Sequence, residues 1–154
     1  MRKRSSYRPR AQLESPLNYV LMGFMPISTA EDTMRTCKIK NHDALDRMIK
    51  GHANKDVVNT LINALNMSEA LALVDIGHEY LDEIQAALGV VGALKTRLRM
   101  ILTGPEIKTL QLAMEIHEAQ IDDSRTTIGV MEAALADVKR ILKQKAKHHE
   151  PTPA

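Results

Sequence analysis

From Ile107 to Lys145 the residues Ile107, Leu110, Met114, His117, Ile121, Ser124, Ile128, Met131, Leu135, Val138, Leu142 and Lys145 follow one another at alternating spacings of three and four. Nine of these twelve positions are apolar, so the pattern marks one face of an α-helix rather than a strand. The register crosses Asp122-Asp123-Ser124, a run that composition alone assigns to a loop. Because the spacing does not slip there, it predicts one continuous helix over about 105–146, roughly 63 Å long at 1.5 Å per residue. A stripe of that length has to be covered, and this limits the chain to a helical assembly.

The preceding sequence supplies the covering helices. Ser15-Pro16 is a helix start, with Ser as N-cap and Pro at the first helical position. It predicts a short apolar helix over 16–24, ending before Pro26. Ser28 or Thr29 is placed to cap a second short helix, and a third is expected over 41–50, with Gly51 as its left-handed cap. Asn54 opens a helix over 54–76, on which Val58, Leu61, Leu65, Ser68 and Ala72 share a face. Gly77 breaks it, and 78–102 follows with Leu81, Ile84, Leu88, Val91, Lys95, Leu98 and Leu102 in register. Thr103 and Glu106 stand at capping-box spacing with Pro105 in the first turn. So short a turn folds the last helix back antiparallel on its predecessor.

The expected architecture is therefore an all-α, elongated bundle. A basic arm (1–14) precedes a single helical domain (15–146), and a disordered tail (147–154) follows it. The 78–102 helix covers the long helix only to about residue 130. Met131, Leu135, Val138 and Leu142 are left as the candidate protein interface, to be covered by the N-terminal helices, a partner or a second copy of the chain. Gly89 and Gly92 inside a helix read equally as close approach of a neighbouring backbone or as tolerated local weakness.

Charge is polarised beneath a net value of +2. Arg2, Lys3, Arg4, Arg8 and Arg10 give the first ten residues +5, and Lys139, Arg140, Lys143, Lys145 and Lys147 give 139–149 another +5. The stretch between carries eleven basic and eighteen acidic residues. Basic ends of this kind are either solubilising tails or grips for phosphate, and Arg2, Lys3, Arg4, Arg8, Arg10, Lys139, Arg140, Lys143 and Lys147 are the nucleic-acid candidates. With three Tyr, one Phe and no Trp, a base-stacking platform is disfavoured. Residues 41–66 are a weak helix-turn-helix candidate, with few basic residues on the second helix. No apolar run reaches about 18 residues, which argues against a membrane span. The start of the chain lacks the apolar region of a signal peptide, so a cytoplasmic setting is expected.

Catalytic patterns are not spelled out. Gly89-Val90-Val91-Gly92 sits in a helical stripe and lacks the following Gly or Lys-Ser/Thr of a phosphate loop. A single cysteine, Cys37, excludes an internal disulfide. Its neighbours Arg35, Lys38 and Lys40 favour a thiolate, although a lone Cys in such a context reads first as incidental. Asp75-Ile76-Gly77-His78 has carboxylate-x-x-His spacing, but a di-metal bundle needs two such pairs and further Glu. His117 on the apolar stripe reads as a core or register-setting histidine. Neither an enzyme nor a cofactor is expected.

Lys38-Ile39-Lys40-Asn41-His42-Asp43-Ala44-Leu45, Leu61-Ile62-Asn63-Ala64-Leu65-Asn66-Met67-Ser68-Glu69-Ala70-Leu71, Leu102-Thr103-Gly104-Pro105-Glu106 and Glu115-Ile116-His117-Glu118-Ala119-Gln120 give the chain a look of its own. It resembles small proteins carried by phages and mobile elements of Gram-negative bacteria. The resemblance implies a mobile-element setting and brings no site residues. The function expected first is a non-enzymatic accessory factor that binds a host protein or defence complex. Its mildly acidic middle, with Asp75, Glu79, Asp82 and Glu83, would suit a basic host surface. The alternative is a nucleic-acid-associated protein gripping phosphate with its basic termini. A homodimer is compatible with either.

Overall fold

The computed structural model describes residues 23–148. It is an all-α bundle of five helices: α1 (Glu31–Ile49), α2 (Lys55–Leu73), α3 (Leu81–Leu94), α4 (Gly104–Asp122) and α5 (Ile128–His148). The expected helix 16–24, the arm 1–14 and the end of the tail lie outside the described residues, apart from the final positions of that helix.

α2 is the central helix, packed against the other four. Val58, Leu61, Leu65, Ser68 and Ala72 are all buried, as their shared face predicts. One cluster joins Leu45 and Met48 of α1, Leu61 and Leu65 of α2, Val91 and Leu94 of α3, and Leu110 and Met114 of α4. Ile84 shares a second cluster with Ile116. Early α3 thus meets late α4, and late α3 meets early α4, the antiparallel arrangement expected for this pair.

Local signals set several helix ends. The Asn54 side chain accepts from Val57 N–H at 2.9 Å. At the start of α4 the Glu106 carboxylate accepts from Thr103 N–H while Thr103 Oγ1 accepts from Glu106 N–H, a complete capping box with Pro105 in the first turn. Gly51 adopts φ 77°, and Gly51 N–H and His52 N–H donate to Met48 and Arg47 carbonyls. This pairing is the Schellman motif, which satisfies the last carbonyls of α1.

Four expectations are corrected. α1 starts at Glu31 rather than at 41, so the second and third expected helices are one, preceded by a single 3-10 turn over Ile27–Thr29. Thr29 Oγ1 donates to Pro26 O instead of capping, and Glu31 and Asp32 complement the N-terminal dipole. The polar first turns of α1 are held from outside: Lys38 pairs with Asp122 at 2.9 Å and His42 with Glu118 at 2.5 Å.

α2 ends at Leu73, not 76, because Asp75 itself takes the left-handed conformation (φ 68°). Ile76 N–H then donates to Leu71 O, and the two side chains share a buried cluster. Gly77 (φ 79°) completes the reversal.

α3 ends at Leu94 rather than 102. Thr96 Oγ1 donates to Ala93 O, and Arg97 reaches both Ile101 O and the Glu106 carboxylate. Leu98 is left fully exposed while Leu102 is buried from the loop.

The helix expected over 105–146 is two helices. Asp123 leaves the helical region at ψ 130°, and its carboxylate accepts from Arg125 N–H at 2.8 Å. Thr126 is fully buried, and its Oγ1 donates to Gln120 O. Thr127 Oγ1 accepts from Val130 N–H to start α5. The turn is also clamped from outside, since Ile27 N–H donates to Thr126 O and Ile128 N–H to Met25 O. After it α5 runs back along α2: Ala134 clusters with Leu71, whereas Ile141 and Lys145 line a groove with Ile62 and Asn66.

A candidate docking groove and a basic ridge on α5

Gln120 is a buried amide between α4 and α2. Its Nε2 donates to Ser68 O at 3.0 Å and Ile76 O at 2.8 Å, and its Oε1 accepts from Ser68 Oγ at 2.6 Å. Both amide N–H groups and the carbonyl oxygen are thereby engaged in tying α4 to α2 and to the turn after it, so the role is structural. One turn earlier, His117 is buried with Nδ1 unpartnered. Burial lowers its pKa from 6.5 to about 4 and keeps the imidazole neutral.

The sequence motifs that hinted at chemistry are occupied otherwise. His78 Nδ1 lies 3.2 Å from Ala72 O. Arg125 binds the Asp75 carbonyl and, through several contacts, the Asp123 carboxylate, whose pKa it holds at about 2. Cys37 is half-buried, with Asn41 Nδ2 3.9 Å from its Sγ. Among the described residues no group of three His, Cys, Asp or Glu is placed to share a metal ion. Nor is any helix there long and apolar enough to cross a membrane. Asp75, Glu79 and Asp82 stay exposed around the turn between α2 and α3.

The predicted interface divides in two. Met131 packs half-buried against the cluster of Leu71 and Ile76, and Val138 is buried. Leu135 and Leu142 remain 43% exposed. The first pair serves the bundle because the break at Asp123 lets α5 fold onto α2. Leu142 and Val138 belong to a groove of about 500 Å³ between α2, α3 and α5. Leu73, Val74 and Ile141 join them there while keeping 61%, 55% and 42% of their surface exposed. These three were missed by the sequence reading. The signal available was Leu73-Val74, two apolar residues immediately before a turn, and Ile141 beside Leu142.

Gly92 sits in the α3 wall of this groove. A Cβ at Gly89 or Gly92 would meet nothing within 4 Å, so close helix packing is not the reason for either glycine. At Gly92 the missing side chain widens the groove. Lys95 and Lys145 line it without an ion-pair partner among the described residues, while Arg140 pairs with Asp137 at 3.1 Å.

Of the nucleic-acid candidates, Arg2, Lys3, Arg4, Arg8 and Arg10 lie outside the described residues. Lys139, Arg140, Lys143 and Lys147 are all exposed and line one shallow depression on α5 with Ala136 and Gln144. The structure thus brings the C-terminal four together. Comparison with protein-family models, with curated proteins and with solved structures gave no match.

Proposed function

We propose that this chain is a non-enzymatic binding protein that takes an amphipathic helix of a partner protein into the groove between α2, α3 and α5. The observation that carries the reading is the convergence of Leu73, Val74, Ile141 and Leu142 on one groove. Helix recognition needs such an apolar trough, in which side chains spaced three and four apart on the guest are buried. With Asp137 and Arg140 paired to each other, Lys95 and Lys145 outweigh Glu69 in the lining, which suits a guest with acidic flanks. The resemblance to phage and mobile-element proteins makes a host protein or defence complex the expected partner, with the chain as its modulator.

The test uses the full chain with a photo-crosslinker at position 74, in lysate of a Gram-negative host treated with nuclease at about 0.5 M salt, where exposed charge attraction is heavily screened. A discrete host protein crosslinked at position 74, and lost in the Leu73→Gln/Leu142→Gln variant, is the expected result. Both leucines are already exposed, so the variant keeps its fold. Capture unchanged in the variant, no crosslink, or a crosslink only between two copies of this chain would overturn the reading.

A further inference from the structure

We infer that the ridge formed by Lys139, Arg140, Lys143 and Lys147 is a sequence-independent docking surface for the phosphate backbone of duplex DNA. Arg140 also lines the groove, but Lys139, Lys143 and Lys147 fall on the side of α5 away from Val138, Ile141, Leu142 and Lys145, so the inference does not rest on the groove.

The geometry begins with spacing. Residues 139, 143 and 147 recur every four positions, so they form a nearly straight row with a rise of about 6 Å per step. Arg140 stands beside the row. The row spans about 12 Å, over which a DNA duplex presents roughly seven phosphate charges along its axis. No acid occurs from 139 to 149; of the two that flank this run, Asp137 is paired with Arg140 and Glu150 lies outside the described residues. The three lysines are therefore left without an acidic partner among the described residues. Attraction to the helix dipole explains a cation in the last turn, where Lys147 lies, but Lys139 and Lys143 stand before it.

The surface between the charges is also informative. Ala136 and Gln144 complete the depression, so its profile is low and its only neutral polar group is an amide. A stiff phosphate backbone can approach such a ridge closely. Arg140 is engaged by Asp137, and Gln144 is the one amide beside three lysines, which makes the contact chiefly positional rather than sequence-specific.

Two other polyanions fit less well. A membrane-surface helix buries its apolar side among lipid tails, but here Ala134 and Val138 on that side are buried within the protein. An acidic protein surface would normally be anchored by a desolvated aromatic or aliphatic residue at the centre of the contact, and the ridge has none.

The experiment follows binding of the full chain to a fluorescent 20-base-pair duplex of arbitrary sequence by anisotropy, across a salt titration. Four phosphate contacts predict a log–log slope of at least about −3.6, which is about a 150-fold loss of affinity between 50 and 200 mM salt. The Lys139→Glu/Lys143→Glu variant should lower the magnitude of the slope by about 1.8. It should also weaken binding at 50 mM at least tenfold. The neutral Leu142→Gln variant should leave both quantities unchanged. Circular dichroism confirms that each variant is folded. An unchanged slope in the charge-reversed variant would assign any binding to the first ten residues and overturn the inference. So would absence of binding at 50 mM, or tighter binding to vesicles containing phosphatidylglycerol than to the duplex.

Discussion

Acidification from pH 7 to pH 5 should destabilise this protein through one residue, His117. The imidazole is buried in the bundle, with its pKa lowered from 6.5 to about 4 chiefly by burial. The nearby Glu118 carboxylate favours the charged ring and the Lys38 ammonium opposes it, but neither outweighs burial. Between pH 6.5 and 4 the unfolded chain therefore binds a proton that the folded chain does not. Stability is fully present above 6.5, is lost as the pH falls, and stops falling below about 4. At 1.36 kcal/mol per unit the whole loss is about 3 kcal/mol, of which about 2 kcal/mol falls between pH 7 and pH 5.

For a chain of this size that corresponds to a fall in Tm of about 4–8 °C. Carboxylates do not confound the window. Arg97 holds Glu106 at about 2 by hydrogen bonding, and Arg125 does the same for Asp123. Their contributions are present above the ordinary carboxylate range and are lost only at lower pH. Urea unfolding at pH 7, 6 and 5, followed by circular dichroism, measures the effect. The His117→Leu variant fills a similar volume, removes the unpartnered Nδ1 and cannot titrate. It should be at least as stable as the parent at pH 7 and should lack the 2 kcal/mol loss attributed to the histidine. If the variant lost as much stability as the parent at pH 5, the assignment to His117 would be refuted.

Replacing Gln120 by Leu leaves Ser68 and the Ile76 carbonyl without their partner and should cost about 3 kcal/mol in urea unfolding; a loss under about 1 kcal/mol would show that the amide does not hold α4 to α2. Gly89→Ala and Gly92→Ala should each stabilise α3 by up to about 1 kcal/mol, because neither new methyl meets a neighbour. Only Gly92→Ala should weaken partner capture, since only Gly92 lines the groove; equal capture by both variants would count against the groove wall. Spin labels at Lys108 and Lys143 should report a separation well below the roughly 52 Å that one straight helix would impose; a distance near that value would contradict the break after Asp122.

What was legible in the sequence divides by the range of the interactions involved. Asn54, Gly51 and the Thr103–Glu106 pair act on backbone groups within a few residues, so their types and spacing already specify the ends they cap. The buried face of α2 was legible for the same reason, because burial of one helix face leaves a period in the sequence. The break after Asp122 has another origin. Ile121 and Ile128 keep the heptad register on both sides of it, and only the buried Thr126–Gln120 bond and the clamp from Met25 and Ile27 show that the chain turns. Those partners come together only once α5 lies on α2. The start of α1 was hidden similarly, since its polar turns are secured by Asp122 and Glu118 of α4.

The same break explains why the four candidate interface residues separate into packed and exposed pairs. A straight helix would have presented Met131, Leu135, Val138 and Leu142 as one outward stripe. Turning at Asp123 directs Met131 and Val138 against α2 and leaves Leu142 at the rim of the space that remains. That space exists because α2 stops at Leu73 and α3 carries Gly92 where a side chain would otherwise intrude. The turn also orients the rest of α5. With its apolar side committed to α2, Lys139, Lys143 and Lys147 face outward. The groove and the ridge are thus two consequences of one turn, and a helix that ran straight through Asp123 would lose the groove while leaving the lysine row intact. Substitutions that straighten the turn should therefore abolish partner capture and spare DNA binding, a separation that neither a general loss of folding nor a single shared surface would produce.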